Sequence, residues 1–69
     1  MVEAKIIGQR LADLRLNARK TGDEVAEACG ISRSALTMYE TGARIPRDEV
    51  KVRLAKFYGD TVENIFFAN

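Results

Sequence analysis

The chain has 69 residues, which is enough for one domain (residues 1–69) with a small hydrophobic core. Eleven basic and ten acidic residues nearly cancel, so the net charge of +1 does not by itself indicate a nucleic-acid partner. One Cys and no His exclude an internal disulfide and make a poor set of metal ligands, so we predict no metal and no cofactor. The short apolar runs predict no membrane span, and the lone thiol favours a reducing, cytoplasmic setting.

The first predicted helix covers about residues 4–19, because apolar residues recur there at helical spacing. These residues are Ile7, Leu11, Leu14 and Ala18. The same stretch is strongly basic, which makes it a candidate for contacts with an anionic partner.

Two short helices joined by a tight turn are predicted over about residues 21–42. Thr21 and Glu24 match a capping box, in which hydroxyl and carboxylate each bond an amide at the start of a helix. Helix two therefore runs over about 22–29 and ends at a Gly, and Ser32 is a favourable first cap for helix three. The residues that this register turns inward are Val25, Ala26 and Cys29 in helix two, and Leu36 and Tyr39 in helix three.

Two further helices complete the predicted fold. Helix four follows Pro46 and ends at Gly59, and Thr61 caps a short fifth helix. Their apolar residues are Val50, Leu54, Phe57 and Tyr58, then Val62, Ile65 and Phe66. No strand pattern occurs, so the predicted fold class is all-α, a compact bundle of five short helices.

The outward face of helix three is a candidate functional surface, because it carries few solvating charges. The side chains on this face are Arg33, Ser34, Thr37 and Met38. A helix-turn-helix places the first turn of its second helix against base edges in the DNA major groove, and Arg is the commonest reader of guanine there. The alternative interpretation is an ordinary exposed helix face.

The order and spacing of several short motifs resemble the phage Cro and lambda-repressor family of helix-turn-helix regulators over about residues 6–67. The matching residues are Ile7-Gly8 with Leu11, Leu14 and Arg15; Thr21, Glu24, Val25 and Ala26; Gly30-Ile31-Ser32, Glu40, Gly42 and Pro46; and Leu54-Ala55-Lys56, Gly59, Ile65 and Phe66. The resemblance implies a five-helix, lambda-repressor-like DNA-binding domain with its helix-turn-helix at helices two and three.

The resemblance also implies roles for individual residues. The base-reading positions are Arg33, Ser34, Thr37 and Met38. The phosphate-contacting candidates are Thr21, Gly22, Arg44 and Arg47 with the backbone of the 42–46 loop, together with Arg10 from the basic first helix. Arg15 and Glu40 occupy positions that form an ion pair between helices one and three in relatives; the alternative is an exposed pair with little effect on stability.

Two departures from the family pattern affect the predicted DNA contacts. Relatives usually carry Gln at position 22, where it contacts a phosphate and supports the recognition helix, whereas Gly22 offers only its backbone amide. The usual Ser before helix four is Arg47, which exchanges a cap for a charge, so we expect Asp48 to cap that helix instead.

These features predict a sequence-specific DNA-binding transcriptional regulator, with repression favoured over activation. The predicted partners are double-stranded operator DNA and a second copy of the chain, with no small-molecule site and no membrane. Phe66 and Phe67 are adjacent, so one of them should be exposed. Because DNA half-sites usually require two copies, we favour a dimer interface there over the alternative, a surface Phe without function. The alternative function is a protein-interaction module, such as an antitoxin or antirepressor partner, which the low charge and Gly22 fit. An enzyme is not predicted, because no catalytic constellation is recognisable.

Overall fold

The computed structural model describes residues 2–69, which contain five helices and no strand. The helices are α1 (Ala4–Asn17), α2 (Gly22–Cys29), α3 (Arg33–Thr41), α4 (Asp48–Tyr58) and the short α5 (Glu63–Phe67), which has π-helical hydrogen bonding. The predicted all-α class and the order of five helices are confirmed. None of the helices in this part of the chain combines the length and apolar character that a membrane crossing requires.

The boundaries of α2 and α3 are fixed by local hydrogen bonds. The Glu24 amide donates to the Thr21 hydroxyl at 3.1 Å, and the Thr21 amide donates to the Glu24 carboxylate at 2.8 Å, which completes the predicted capping box. Ser32 caps α3 in the same way, accepting at 3.0 Å from the amide three residues on. Gly30 and Gly42 end the two helices in the left-handed conformation, with φ of 68° and 80°.

One hydrophobic core lies between the helices, and every helix contributes to it. Its members are Ile7, Leu11, Val25, Ala26, Cys29, Leu36, Tyr39, Val50, Leu54, Ala55, Ile65 and Phe66. The inward residues predicted for α2 and α3 are all buried. Fully burying a side chain of Leu or Phe size contributes roughly 1.5–3 kcal/mol, so this cluster is the main source of stability in so short a chain.

The predicted end of helix one was wrong by two residues. α1 stops at Asn17, and Ala18, which continues the apolar spacing, is an exposed C-cap residue. Arg19 takes a left-handed conformation with φ of 56°, and the Lys20 amide bonds back to the Arg15 carbonyl. The left-handed position of such a turn is usually Gly, because a residue with a side chain costs about 1–2 kcal/mol there. Since Arg19 occupies it here, the sequence contains no Gly to indicate the end of the helix.

The predicted cap of helix four was also wrong. Arg47 occupies the cap position without a side-chain hydrogen bond, and Asp48 is the first helical residue. The Asp48 carboxylate instead lies 3.4 Å from the Lys51 ammonium. As an acidic residue in the first turn, Asp48 still interacts favourably with the helix dipole.

The two C-terminal aromatic residues separate as expected, one inward and one outward. Phe66 is completely buried and Phe67 is 40% exposed. Phe66 therefore has no surface to offer a second copy, and Phe67 is the one of the two that stays a candidate for a dimer interface. The Lys51 ammonium lies 5.9 and 5.4 Å from the centres of the Phe66 and Phe67 rings, which links α4 to α5.

α1 and α3 approach each other closely at Gly8. A Cβ atom added to Gly8 would lie 2.4 Å from the Glu40 carbonyl oxygen and 2.7 Å from that of Tyr39. Both oxygens belong to the backbone, so neither can rotate away. Because no side chain stands at residue 8, the two helices pack at backbone distance.

We expect Gly8→Ala to lower the free energy of unfolding by about 2 kcal/mol or more, because overpacking at a rigid contact outweighs the better helix propensity of Ala. Denaturant unfolding followed by circular dichroism measures this. Gly22→Ala is the matched control: it is also a helical Gly, but the three atoms nearest its added Cβ belong to the flexible side chain of Arg33. Equal stability of the two variants would contradict the role of Gly8.

Candidate nucleic-acid interface

The outward face of α3 is formed as the sequence predicts. Leu36 and Tyr39 are buried at 0% and 8% exposure, which turns the opposite side of the helix to solvent. Of the four predicted base-reading residues, three are exposed and Met38 is half-buried. The residues on this face are Arg33, Ser34, Thr37 and Met38.

Arg33 makes contacts that sequence analysis did not anticipate. Its Nε lies 3.5 Å from an Asp23 carboxylate oxygen, and its Nη1 donates to the Thr37 hydroxyl. The guanidinium also covers Gly22, where an added Cβ would lie 2.3 Å from the guanidinium carbon. The Arg33 side chain nevertheless remains 49% exposed, so it can still reach a ligand.

The Thr37 hydroxyl makes two hydrogen bonds within α3. It donates its proton to the Arg33 carbonyl at 3.1 Å and accepts from the Arg33 guanidinium. The hydroxyl therefore has no proton left to donate to an outside partner, whereas the Thr37 methyl group suits the methyl group of a thymine. Ser34, by contrast, is exposed in the first turn of the helix and carries a hydroxyl that can donate or accept.

The start of α2 offers less to a phosphate than the predicted Thr21 and Gly22 contacts imply. The Thr21 amide is already bonded to Glu24, and this bond holds the pKa of that carboxyl below its usual value. Gly22 is buried, with the Arg33 guanidinium lying over it. The groups that remain accessible there are the Thr21 hydroxyl and the guanidinium itself.

The loop between α3 and α4 carries two exposed arginines, Arg44 and Arg47. The amides of residues 42, 43 and 44 donate to the carbonyls of Tyr39 and Met38 at the end of α3. These three amides therefore stabilise the loop and are not free to bind a phosphate. The groups of the loop that can bind an anionic partner are the side chains of Arg44 and Arg47.

The structure gives Arg10 a role that conflicts with the predicted phosphate contact. Its Nη1 donates to the carbonyls of Asn64 and Ile65 at 3.0 and 3.1 Å, which joins α1 to α5. Arg10 also lines a shallow cavity of about 250 Å³ together with Asp13 and Asp60. Neighbouring acidic side chains oppose phosphate binding, so Arg10 is a structural residue and does not belong to the candidate interface.

The basic residues of α4 are not all turned to the same surface as the α3–α4 loop. Lys51 is only 8% exposed and its ammonium lies beside the rings of α5. The Arg53 guanidinium lies 3.5 Å from the Cys29 carbonyl at the end of α2. Cys29 itself is buried, and this burial raises the pKa of its thiol.

The expected ion pair between Arg15 and Glu40 is present, and it joins α1 to the end of α3. Arg15 Nε lies 2.8 Å from one carboxylate oxygen, and Nη2 lies 3.1 Å from the other. The side chains are 19% and 10% exposed, so this pair differs from the exposed, nearly neutral alternative. The hydrogen bonds to Glu40 raise the pKa of Arg15 above its usual value.

Tyr58 adds a buried hydroxyl close to this ion pair. Within residues 2–69 the hydroxyl has no hydrogen-bond partner. Burial, followed by the nearby Glu40 carboxylate, raises the pKa of Tyr58 to about 12. The phenol therefore stays protonated at neutral pH and adds no charge beneath α3.

Comparison with known proteins identifies the arrangement of α2 and α3. A family model described as a helix-turn-helix domain matches residues 6–64. The chain belongs to the helix-turn-helix domain family. The resemblance seen in the sequence is thereby confirmed at the level of the family.

Two individual proteins are similar to this helix-turn-helix domain. The transcriptional repressor RstR of the cryptic phage CTXphi, from Vibrio cholerae, is 33% identical over 54 residues, which are 78% of this chain and 49% of RstR. The chain thus spans about half the length of that relative. The crystal structure of the clp gene regulator ClgR from C. glutamicum superposes with a TM-score of 0.82 over 94% of this chain and 84% of ClgR; at 23% identity this shows a shared fold.

In this helix-turn-helix domain we expect Arg15→Met to lower the free energy of unfolding by about 2 kcal/mol, because it leaves the Glu40 carboxylate largely buried without its partner. Denaturant unfolding tests this. The double variant Arg15→Met/Glu40→Leu should recover most of the loss, since it removes the unpaired charge. A single variant as stable as the parent would show that the pair contributes nothing to holding α3.

Proposed function

We propose that the chain is a sequence-specific DNA-binding regulator of transcription, acting as a repressor, with α3 in the major groove. The observation that carries this proposal is the exposed face of the first two turns of α3. There Arg33 and Thr37 are held in one hydrogen-bonded unit beside Ser34, on a helix fixed by a capped start and an ion-paired end. The family match, and the similarity to a protein named as a transcriptional repressor, support the same function.

Base reading falls to the outward face of α3. The Arg33 guanidinium has the donors that guanine O6 and N7 accept, and a matched bidentate contact contributes about 1–3 kcal/mol of discrimination. Ser34 adds a hydroxyl that can contact a base or a phosphate. The Thr37 methyl, with half-buried Met38 beside it, favours a thymine methyl at a neighbouring position.

Phosphate binding falls mainly to the side chains of Arg44 and Arg47, with the Thr21 hydroxyl as a neutral donor. Gly22 contributes less in this scheme, because the Arg33 guanidinium covers it. Phosphate contacts set the register of the protein on the duplex and make its affinity fall as salt rises, whereas base contacts set sequence choice. The chain's low net charge then predicts a modest non-specific affinity.

Operator recognition by this fold class uses two half-sites about one helical turn apart, so the proposal includes a homodimer in the cytoplasm. Phe67 is the aromatic residue that we assign to the dimer interface, because it is 40% exposed near the C-terminal end. Sedimentation of the free protein and of its DNA complex tests the dimer, and one protein molecule per operator would reject it.

A protein-interaction module, such as an antitoxin or antirepressor partner, is the second candidate function. The observation that favours it is Asp23, which places a carboxylate, 85% exposed, beside the candidate base-reading Arg33. Selection of bound DNA from a random pool separates the two functions. An enriched site supports the regulator, and recovery of no sequence above background supports the interaction module.

We expect Arg33→Ala to lower discrimination at one base pair of the selected site by about tenfold, because it removes a single bidentate contact. Affinity for unrelated DNA should change much less. Titration of DNA carrying each single base-pair change measures both quantities. An equal loss of affinity for all sequences would reassign Arg33 to a phosphate.

We expect Arg47→Ala to weaken binding to every DNA sequence and to reduce the slope of log affinity against log salt by about 1, as loss of one phosphate contact does. Arg53→Ala is the control, because Arg53 carries the same charge but lies beside the end of α2. A salt slope that stays the same in Arg47→Ala, or falls equally in both variants, would remove Arg47 from the phosphate surface.

A further inference from the structure

We propose that Gly22, Asp23 and Thr37 form a seat for the Arg33 guanidinium, and that Gly22 and Asp23 thereby determine sequence choice at the base pair that Arg33 reads. This proposal rests on the function proposed above. It assigns a specificity-determining role to the start of α2, a role that depends on positioning Arg33 and not on touching DNA.

Gly22 leaves the space in which the Arg33 guanidinium lies. A Cβ atom at residue 22 would lie 2.3 Å from both Cζ and Nε of Arg33 and 2.6 Å from its Nη2, well inside van der Waals contact. Any residue other than Gly must therefore push the guanidinium away from α2. The backbone does not require Gly at this position, because Gly22 is helical and is not among the positive-φ glycines. The Arg33 guanidinium occupies the space that a side chain at residue 22 would fill.

The Arg33 seat also fixes the direction of the guanidinium. Asp23 lies 3.5 Å from Nε, and the Thr37 hydroxyl accepts from Nη1, so different edges of the planar group have fixed neighbours. A free Arg side chain samples many rotamers, and ordering it on binding lowers affinity. The Arg33 seat orders the side chain before DNA arrives, while leaving it exposed enough to reach a base.

The Asp23 carboxylate also has an electrostatic effect on DNA binding. Asp23 is 85% exposed, so its carboxylate repels the phosphates of any DNA sequence equally. The Asp23 carboxylate also offsets part of the Arg33 charge, so the guanidinium attracts phosphates less strongly. The repulsion lowers affinity for all sequences alike and cancels in the ratio of specific to non-specific binding. The orientation of Arg33 favours one base, so it is the orientation that raises this ratio.

The test compares Gly22→Ala in two backgrounds, with and without Arg33→Ala. We expect Gly22→Ala to fold with at least the parent's thermal stability, since Ala favours a helix. It should lower discrimination at the Arg33 base pair by about tenfold, the size expected for one bidentate contact, and spare the other base pairs. In the Arg33→Ala background the same substitution should have no further effect.

The charge component is tested with Asp23→Asn, and Glu27→Gln on the exposed side of α2 is the matched control. Asp23→Asn should raise affinity for unrelated DNA and lower the specific-to-non-specific ratio. Glu27→Gln should leave that ratio unchanged. In the DNA-free protein, the NMR resonance of the Arg33 Nε–H group should move in Gly22→Ala and Asp23→Asn and stay in place in Glu27→Gln.

The outcomes separate this proposal from the function on which it rests. If the parent selects a site and Arg33→Ala relaxes one base pair, but Gly22→Ala keeps full discrimination, the seat is rejected and DNA reading stands. An effect of Gly22→Ala that persists without Arg33 also rejects the seat, because residue 22 would then act on DNA by itself. If the parent selects no DNA, both proposals fall, whatever the NMR result.

Discussion

The close packing of α1 on α3 is the constraint on which the rest of the structure depends. Gly8 lets the helices meet at backbone distance, and Arg15, further along α1, pairs with Glu40 at the same end of α3. The same end of α3 continues into the Gly42 turn and the loop with Arg44 and Arg47. The position of the candidate recognition surface therefore follows from contacts on the opposite, buried side of α3.

Local features of the fold could be predicted well, because they depend on neighbouring residues. The Thr21–Glu24 capping box, the Ser32 cap and the glycines that end the helices are decided within a few positions of sequence. The end of α1 could not be predicted in this way. Ala18 continues the apolar spacing, and the turn that ends the helix uses Arg19 in a conformation that side chains rarely adopt.

The candidate site was predictable in its residue types but not in its contacts. Helical periodicity placed Arg33 and Thr37 on one face, since periodicity reports direction. It gave no signal for Asp23 reaching Arg33 across the turn, or for Arg10 bonding to carbonyls 54 and 55 positions away. The basic character of the first helix suggested a phosphate contact for Arg10, whereas tertiary packing directs it toward α5.

Because the Arg33 guanidinium lies over Gly22, α3 cannot be treated as independent of α2. The guanidinium belongs to α3, but the surface that receives it belongs to α2. Transplanting α3 alone into a related protein with Gln at position 22 would transfer the sequence of the helix. It would not transfer the space at residue 22 in which the Arg33 guanidinium lies. If Arg33 reads a base as we propose, exchange of base preference between such proteins requires moving residues 22–37 as one block, and specificity belongs to the pair of helices.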